Sequence, residues 1–185
     1  KRRQEHWEKN LEYKEKLEAV IPIIESGMIY SILFQDNYSG DTERFRELLD
    51  IPQKYGFILV IEVGDAIENR KMTNVVGMSV KAQKFYDEFR QIVKQFFSAT
   101  VGPMMANKVV VFVPVETPKQ EYKERVLTIE RADHMIQKLM TRIELFFRVG
   151  IGSVHLLDNI YPSYQEACLA LKKADGPVMH INDFA

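Results

Sequence analysis

The chain has 185 residues, of which 46% are hydrophobic, and its 25 basic and 26 acidic side chains give a net charge of −1. This length and composition suit one globular domain with an extension, and the near-neutral balance argues against direct contact with nucleic acid. The single cysteine, Cys168, excludes an intrachain disulfide framework and fits a reducing, cytoplasmic compartment, and no apolar run reaches the roughly 20 residues that a membrane span needs.

The N-terminal segment is predicted to be helical. It starts with Lys1 and polar residues rather than with Met or a signal peptide, so we expect the chain to be a piece of a longer protein. Apolar side chains recur there at the a and d positions of a heptad, namely at Leu17, Ile21, Ile24 and Met28. Pro22 is expected to interrupt this pattern and to start a new helix. Two interpretations remain open: an amphipathic helix folded onto the domain, or the end of a dimerising linker.

The first strand of the domain is predicted at residues 57–63, after a short helix that Asp41 can cap. Its sequence, FILVIEV, is apolar almost throughout, which is typical of a central strand covered on both faces. A helix is predicted over residues 78–97, where phenylalanines recur on one broad stripe.

A β-hairpin is predicted after this helix. Strands over residues 99–104 and 109–113 flank a turn at Asn107, and the second strand reads VVVFV before Pro114. The run of β-branched residues indicates that this strand is buried in the sheet.

The last third of the chain is predicted to add two helices and two strands. These are a helix over residues 121–146, a strand over residues 147–152, a helix over residues 163–173 and a strand over residues 177–181. Ser163 can cap the second of these helices, with Glu166 completing a capping box. The order of elements favours an α+β fold, and a hairpin between helical crossovers is typical of a ferredoxin-like sheet.

Three local patterns carry a resemblance to a known family: the strand FILVIEV, the hairpin strand that ends VVVFVP, and the block VGIG followed by SYQEA. Together with the element order, they make the chain similar to the GGDEF domain of diguanylate cyclases. It resembles more closely the degenerate GGDEF-like domains of bacterial transcription regulators. Those domains occur in sugar-diacid and PucR-type regulators, and in the middle of response regulators that end in an AraC-type DNA-binding region.

The resemblance implies a fold and a division of the chain. The fold is α+β, a nucleotidyl-cyclase-like mixed sheet flanked by helices, over residues 51–185. Residues 1–50 then form an N-terminal helical linker, which dimerises if the heptad pattern is its seam.

The resemblance also allows catalysis to be judged position by position. An active cyclase holds two divalent ions with carboxylates and brings a glycine-rich turn against the nucleotide. The turn falls here on four residues that offer neither glycine nor carboxylate, Met105, Ala106, Asn107 and Lys108. Glu62 takes the place of one metal ligand, but Gly64 stands where its partner carboxylate would be. We therefore expect a vestigial site with no metal, no cofactor and no catalysis.

Other residues that could carry chemistry have simpler structural interpretations. The four histidines share no ligand spacing, and none pairs with a carboxylate at a recognisable step. Cys168 has no nucleophile motif around it and is interpreted as a small buried residue. Gly150 and Gly152 lie in a predicted strand, where glycine permits close packing or a bend.

Three functional hypotheses follow. The first is a non-catalytic, signal-transmitting domain of a two-component response regulator, which forms a homodimer through its N-terminal helices. Its receiver or sensor domain would lie upstream and its DNA-binding domain downstream in the same chain. The second is a ligand-sensing domain that binds a nucleotide or small metabolite in the vestigial cleft, with Glu62 and Lys108 as the nearest charged groups. The third, an active nucleotidyl cyclase, is disfavoured by the single carboxylate.

Overall fold

The computed structural model describes residues 1–34, 39–64, 67–68, 71–72 and 84–184. The helices are α1 (Arg2–Leu33), α2 (Ser39–Leu48), α3 (Tyr86–Phe96), α4 (Tyr122–Arg142) and α5 (Tyr161–Lys173). The strands are β1 (Tyr55–Gly64), β2 (Ile67–Glu68), β3 (Lys71–Met72), β4 (Thr100–Met105), β5 (Lys108–Val115), β6 (Phe146–Ile151), β7 (His155–Leu156) and β8 (Val178–His180). Short 3₁₀ turns cover Leu157–Asn159 and Ile181–Asp183.

A mixed sheet in the order β4-β5-β1-β6-β8 forms the centre of the domain, and β7 pairs with the start of β1. Strand β1 is antiparallel to both β5 and β6, whereas β6 and β8 are parallel. Because β4 is antiparallel to β5, it runs parallel to β1 with β5 between them, which is the split arrangement of a ferredoxin-like sheet. The predicted α+β fold is confirmed.

Helices cover both faces of this sheet. Alternate side chains of β1 point to opposite faces, so Phe57 and Leu59 pack with α3 and α4 while Ile58 and Val60 pack with α1 and α5. All residues from position 57 to position 61 are buried, as expected for the continuous apolar run. The prediction of a central strand at residues 57–63 is confirmed.

The N-terminal helices differ from their predicted form. Helix α1 runs without a break through Pro22, which lies inside it, so the proline does not start a new helix. Helix α2 begins at Ser39, ahead of Asp41. The first part of the helix predicted over residues 78–97 lies outside the described residues, and α3 covers its second half.

The C-terminal helices also have different ends. Helix α4 stops at Arg142 instead of residue 146, because Phe146 already pairs with β1 as the first residue of β6. Helix α5 begins at Tyr161, so Ser163 lies inside it and the predicted cap is wrong. The buried Ser163 hydroxyl instead donates to the Ser153 carbonyl (2.7 Å) and accepts from the backbone N–H of Ile58 (2.9 Å), which joins α5 to the sheet.

The second half of α1 is anchored to the domain by a buried carboxylate. Glu25 is 1% exposed and accepts hydrogen bonds from Lys94 Nζ (2.9 Å), from the backbone N–H of Val101 (2.7 Å) and from Arg90 Nη2. These donors come from α3 and from the edge strand β4, so α1 covers the edge of the sheet. The first 20 residues of the chain, by contrast, are all exposed.

Among the described residues, no helix is both long enough and apolar enough to cross a membrane.

The two glycines of the GIG segment allow α5 to lie directly on β6. A Cβ atom at Gly150 would overlap the carbonyl oxygen of Ala167, and one at Gly152 would overlap the carbonyl oxygen of Ser163. We expect Gly150→Ala to lower the free energy of unfolding by about 3 kcal/mol, because a backbone atom cannot move aside as a side chain can. Gly176→Ala is the matched control, since no atom lies within 4 Å of the new Cβ. Urea denaturation of both variants would contradict this account if their losses were equal.

The buried His180 makes stability depend on pH. Burial lowers its pKa from 6.5 to about 4, and its Nδ1 accepts a hydrogen bond from the backbone N–H of Asn182 (3.1 Å). Between those two pKa values the unfolded chain binds a proton that the folded chain does not, so stability falls as pH is lowered from 6.5 towards 4. The slope is at most about 1.4 kcal/mol per pH unit.

His180→Asn keeps an acceptor for Asn182 and is expected to remove this contribution. The stability difference between wild type and variant should therefore shrink as the pH is lowered through that window, measured by urea denaturation at several pH values. His134→Asn, at an exposed histidine, serves as the control and should leave the pH dependence unchanged. A parallel pH dependence in wild type and His180→Asn would show that this histidine does not titrate as described.

Candidate functional site

The turn between β4 and β5 is a two-residue loop. Met105 pairs with Lys108, which leaves Ala106 and Asn107 at the tip. Ala106 has a φ of 53°, in the left-handed region that favours glycine. The backbone therefore keeps the shape of a glycine turn although the side chain is alanine.

Asn107 fastens this turn to the end of β1. It is 6% exposed, and its side-chain Nδ2 donates to the Val63 carbonyl (3.1 Å). The Val63 backbone N–H donates in return to the Asn107 carbonyl (2.9 Å). Asn107 thus holds the turn against β1 through one side-chain and one backbone hydrogen bond.

Glu62 lies between two cationic side chains in the register of the sheet. It is opposite Lys108 on β5 and opposite Arg148 on β6. Its Oε1 is 3.8 Å from Arg148 Nη1, and Lys108 is exposed on the other side. Directly opposed residues of an antiparallel pair have Cβ atoms only about 5 Å apart, so Lys108 and Arg148 flank Glu62 in the sheet, and Arg148 is close enough to form an ion pair with its carboxylate.

Arg148 is held in place by the end of helix α5. Its Nη2 donates to the carbonyl oxygens of Leu171 (3.1 Å) and Ala174 (3.2 Å), and the residue is 6% exposed. A cation at a helix C-terminus is favoured by the helix dipole and satisfies terminal carbonyls. Sequence reasoning did not single out this residue, although an arginine inside the apolar segment FFRVGI was a visible signal.

The described part of this site carries more positive than negative charge. Two cations surround one carboxylate, whereas a two-metal centre requires several carboxylates. Within the described residues, no group of three or more histidine, cysteine or acidic side chains could hold a metal ion. Such an arrangement can attract an anion, but from these side chains alone it has no set of ligands for divalent cations.

A second polar cluster joins the segment after β6 to α5. The Ser153 hydroxyl donates to the Glu166 carboxylate (2.9 Å to Oε1 and 2.7 Å to Oε2), and His155 Nε2 is 2.6 Å from Glu166 Oε1. The sequence showed no histidine at a recognisable step from a carboxylate, and this pair is formed by the fold, which brings together residues eleven positions apart.

This cluster is not a nucleophilic triad. Ser153 Oγ and Glu166 Oε1 both approach the same ring nitrogen of His155, at 3.1 Å and 2.6 Å. A triad needs the acid on one ring nitrogen and the nucleophile on the other. The cluster is therefore a structural contact that fixes α5.

The four residues of the heptad pattern have different surroundings on α1. Leu17 is 49% exposed and Ile21 is 37% exposed, whereas Ile24 is half-buried. Met28 is 2% exposed and belongs to the core cluster that contains Ile58. Helix α1 is thus folded onto the domain at Met28 and exposed at Leu17, so the interpretation as an amphipathic helix folded onto the domain holds for its second half. The dimerising linker stays a prediction.

Comparison with known proteins identifies one family. The sequence model described as GGDEF-like domain matches residues 49–172, about two-thirds of the chain. The matched residues include β1, the hairpin turn, Arg148 and all of α5 except Lys173. No curated protein matches the sequence.

Proposed function

The chain belongs to the GGDEF-like domain family, and from this we propose that it is a non-catalytic regulatory domain of a bacterial transcription regulator. It transmits a signal between an upstream receiver or sensor domain and a downstream DNA-binding domain of AraC type. This architecture is that of a cytoplasmic two-component response regulator, in which the present domain contacts protein rather than DNA.

The observation that carries the proposal is the charge around Glu62. In a cyclase, the carboxylate at this position would face metal ions, whereas here the fold supplies positive charge from Lys108 and Arg148. The hairpin turn keeps its position through the hydrogen bonds of Asn107 but offers no carboxylate. The scaffold has thus been kept while the chemistry has been replaced, which is consistent with a fold used for contacts.

The homodimer of the proposal uses the free part of α1. Leu17 and Ile21 are exposed at heptad spacing, and Trp7 and Leu11, which lie nearer the N-terminus of the same helix, are also exposed. Asn10 and Lys14 interrupt the apolar surface. Polar residues in a seam lower the stability of a helix pair, so we expect weak, concentration-dependent dimerisation.

Incubation with GTP and Mg²⁺ or Mn²⁺ is expected to give no cyclic dinucleotide and no pyrophosphate, because one carboxylate paired with cations cannot hold two metal ions. Product analysis by liquid chromatography tests this, with Glu62→Gln as the matched variant. Product that forms with the wild type and disappears with Glu62→Gln would refute the proposal.

The second candidate function, ligand sensing in the vestigial cleft, is favoured by the two cationic side chains, Lys108 and Arg148, that lie opposite Glu62 in the described part of the sheet. Calorimetric titration with GTP and cyclic di-GMP separates it from the first. Binding without turnover that is lost in Lys108→Met would favour a sensor for phosphate-bearing ligands, and the absence of heat would favour a purely protein-contacting domain.

Leu17→Glu is expected to weaken self-association about tenfold or more, since two copies would place like charges against each other in the seam. Sedimentation velocity over a range of protein concentrations measures this effect. Ile23→Glu is the control, because Ile23 is 70% exposed on a different face of α1. A wild type that stays monomeric at high micromolar concentration would contradict the dimer, as would equal effects of the two substitutions.

A further inference from the structure

We propose that docking of α1 on its own domain competes with pairing of α1 helices from two copies, and that the ion pairs of Glu25 set the balance. This inference rests on the proposed dimer and deepens it by naming the contact that regulates it. The competition arises because one face of α1 serves both purposes.

The shared face follows from the spacing of the residues. Leu17, Ile21, Ile24 and Met28 lie on one stripe of a helix that continues unbroken past Pro22. The N-terminal end of this stripe, at Leu17 and Ile21, is exposed, whereas Met28 at its C-terminal end is packed against the sheet. A helix pair that extends beyond Ile21 therefore has to detach α1 from the domain at Ile24 and Met28.

Glu25 is the polar contact that opposes this detachment. Its carboxylate receives two charge-assisted bonds from α3 and one backbone N–H from β4, and bonds to an ionised group are about twice as strong as neutral ones. Arg90 and Lys94 keep side-chain exposures of 18% and 34%. When α1 detaches, the hydrogen bonds of Glu25 are lost, but water can solvate Arg90 and Lys94. Detachment therefore leaves no fully buried charge without a partner.

The packing beside Glu25 defines where detachment can begin. A cavity of about 540 Å³ lies between α1, the segment before β1 and the end of α3, and both Ile21 and Glu25 line it. One turn further towards the C-terminus of α1, Ile29 packs closely on Gly102 of β4. A Cβ atom added at Gly102 would clash with the isoleucine side chain. Helix α1 is thus loosely packed at Ile21 and tightly packed at Ile29, and Glu25 lies between the two regions.

Disulfide trapping in the full 185-residue chain tests this competition. Leu17→Cys and Ile24→Cys are each introduced after Cys168→Ala has removed the natural thiol. Each is combined with Glu25→Gln, which weakens the docking contact, or with Glu18→Gln, the exposed glutamate one heptad earlier. The readout is the fraction of covalent dimer under mild oxidation at one fixed concentration.

Leu17→Cys should form a covalent dimer in all three backgrounds, which are the chain with both glutamates intact, Glu25→Gln and Glu18→Gln. Ile24→Cys should link poorly when Glu25 is intact, on the order of tenfold better with Glu25→Gln, and no better with Glu18→Gln. Circular dichroism confirms that each variant is folded. Should Glu25→Gln unfold the domain, Lys94→Gln takes its place, since it removes one donor to the same carboxylate from a partly exposed position.

The outcomes separate this inference from the proposed dimer. If Leu17→Cys links but Ile24→Cys links equally well with and without Glu25, the dimer stands and the competition is refuted. If Leu17→Cys links in no background, the proposed dimer itself fails and the competition fails with it.

Discussion

Strand β1 buries its side chains on both faces, with Phe57 and Leu59 in the layer of α3 and α4 and Ile58 and Val60 in the layer of α1 and α5. That double burial positions the neighbouring strands, because an unpaired buried backbone would cost several kcal/mol for each polar group. The neighbours of Glu62, the polar residue near the end of this strand, are then set by the register of β5 and β6. Here they place Lys108 and Arg148. The electrostatics of the candidate site are thus a consequence of sheet pairing.

The same sheet explains why α1 is more than a linker. An edge strand exposes unpaired backbone groups, and β4 is such a strand in this domain. Helix α1 covers it, and Glu25 accepts the N–H of Val101 while Arg90 and Lys94 compensate its charge. A buried carboxylate is stable only with such compensation. One side chain therefore links the helix that enters the domain to both the edge of the sheet and α3.

These two features place the proposed regulatory role at opposite ends of the sheet. Lys108 lies opposite Glu62 in the strand register at the end that carries the hairpin turn, whereas Pro114 and Gln53 line the cavity beside Glu25 at the other end. The turn is fixed to β1 by hydrogen bonds of Asn107, and among the described residues Lys108 and Arg148 lie on either side of Glu62. The other end holds the contact between α1 and the domain. In the proposed function, contacts of α1 take over the role that nucleotide chemistry has in an active cyclase.

The sequence by itself determined the elements whose signal is local. The apolar run of β1, the β-branched run of β5 and the glycines at positions 150 and 152 each predict a buried strand or a close approach, because backbone sterics and burial act on neighbouring residues. The composition of the hairpin turn was equally readable, since the absence of glycine and carboxylate from residues 105–108 needs no coordinates. Helix ends were predicted less well, as the wrong cap at Ser163 shows, because the hydroxyl that suits a cap also suits a buried bond to the sheet.

Only the tertiary structure decided which charges meet. Glu25 and Arg90 are 65 positions apart, and neither their spacing nor their surroundings in the sequence pairs them. Arg148 reaches Glu62 only because β6 lies beside β1, and His155 reaches Glu166 only because α5 packs back on the sheet. The periodicity of apolar residues in a sequence indicates which face of a helix or strand is buried. It does not indicate which side chains from distant segments come into contact, because that depends on how the core packs those segments together. That is why the residue types of the hairpin turn were visible in the sequence, and the cations around Glu62 and Glu25 were not.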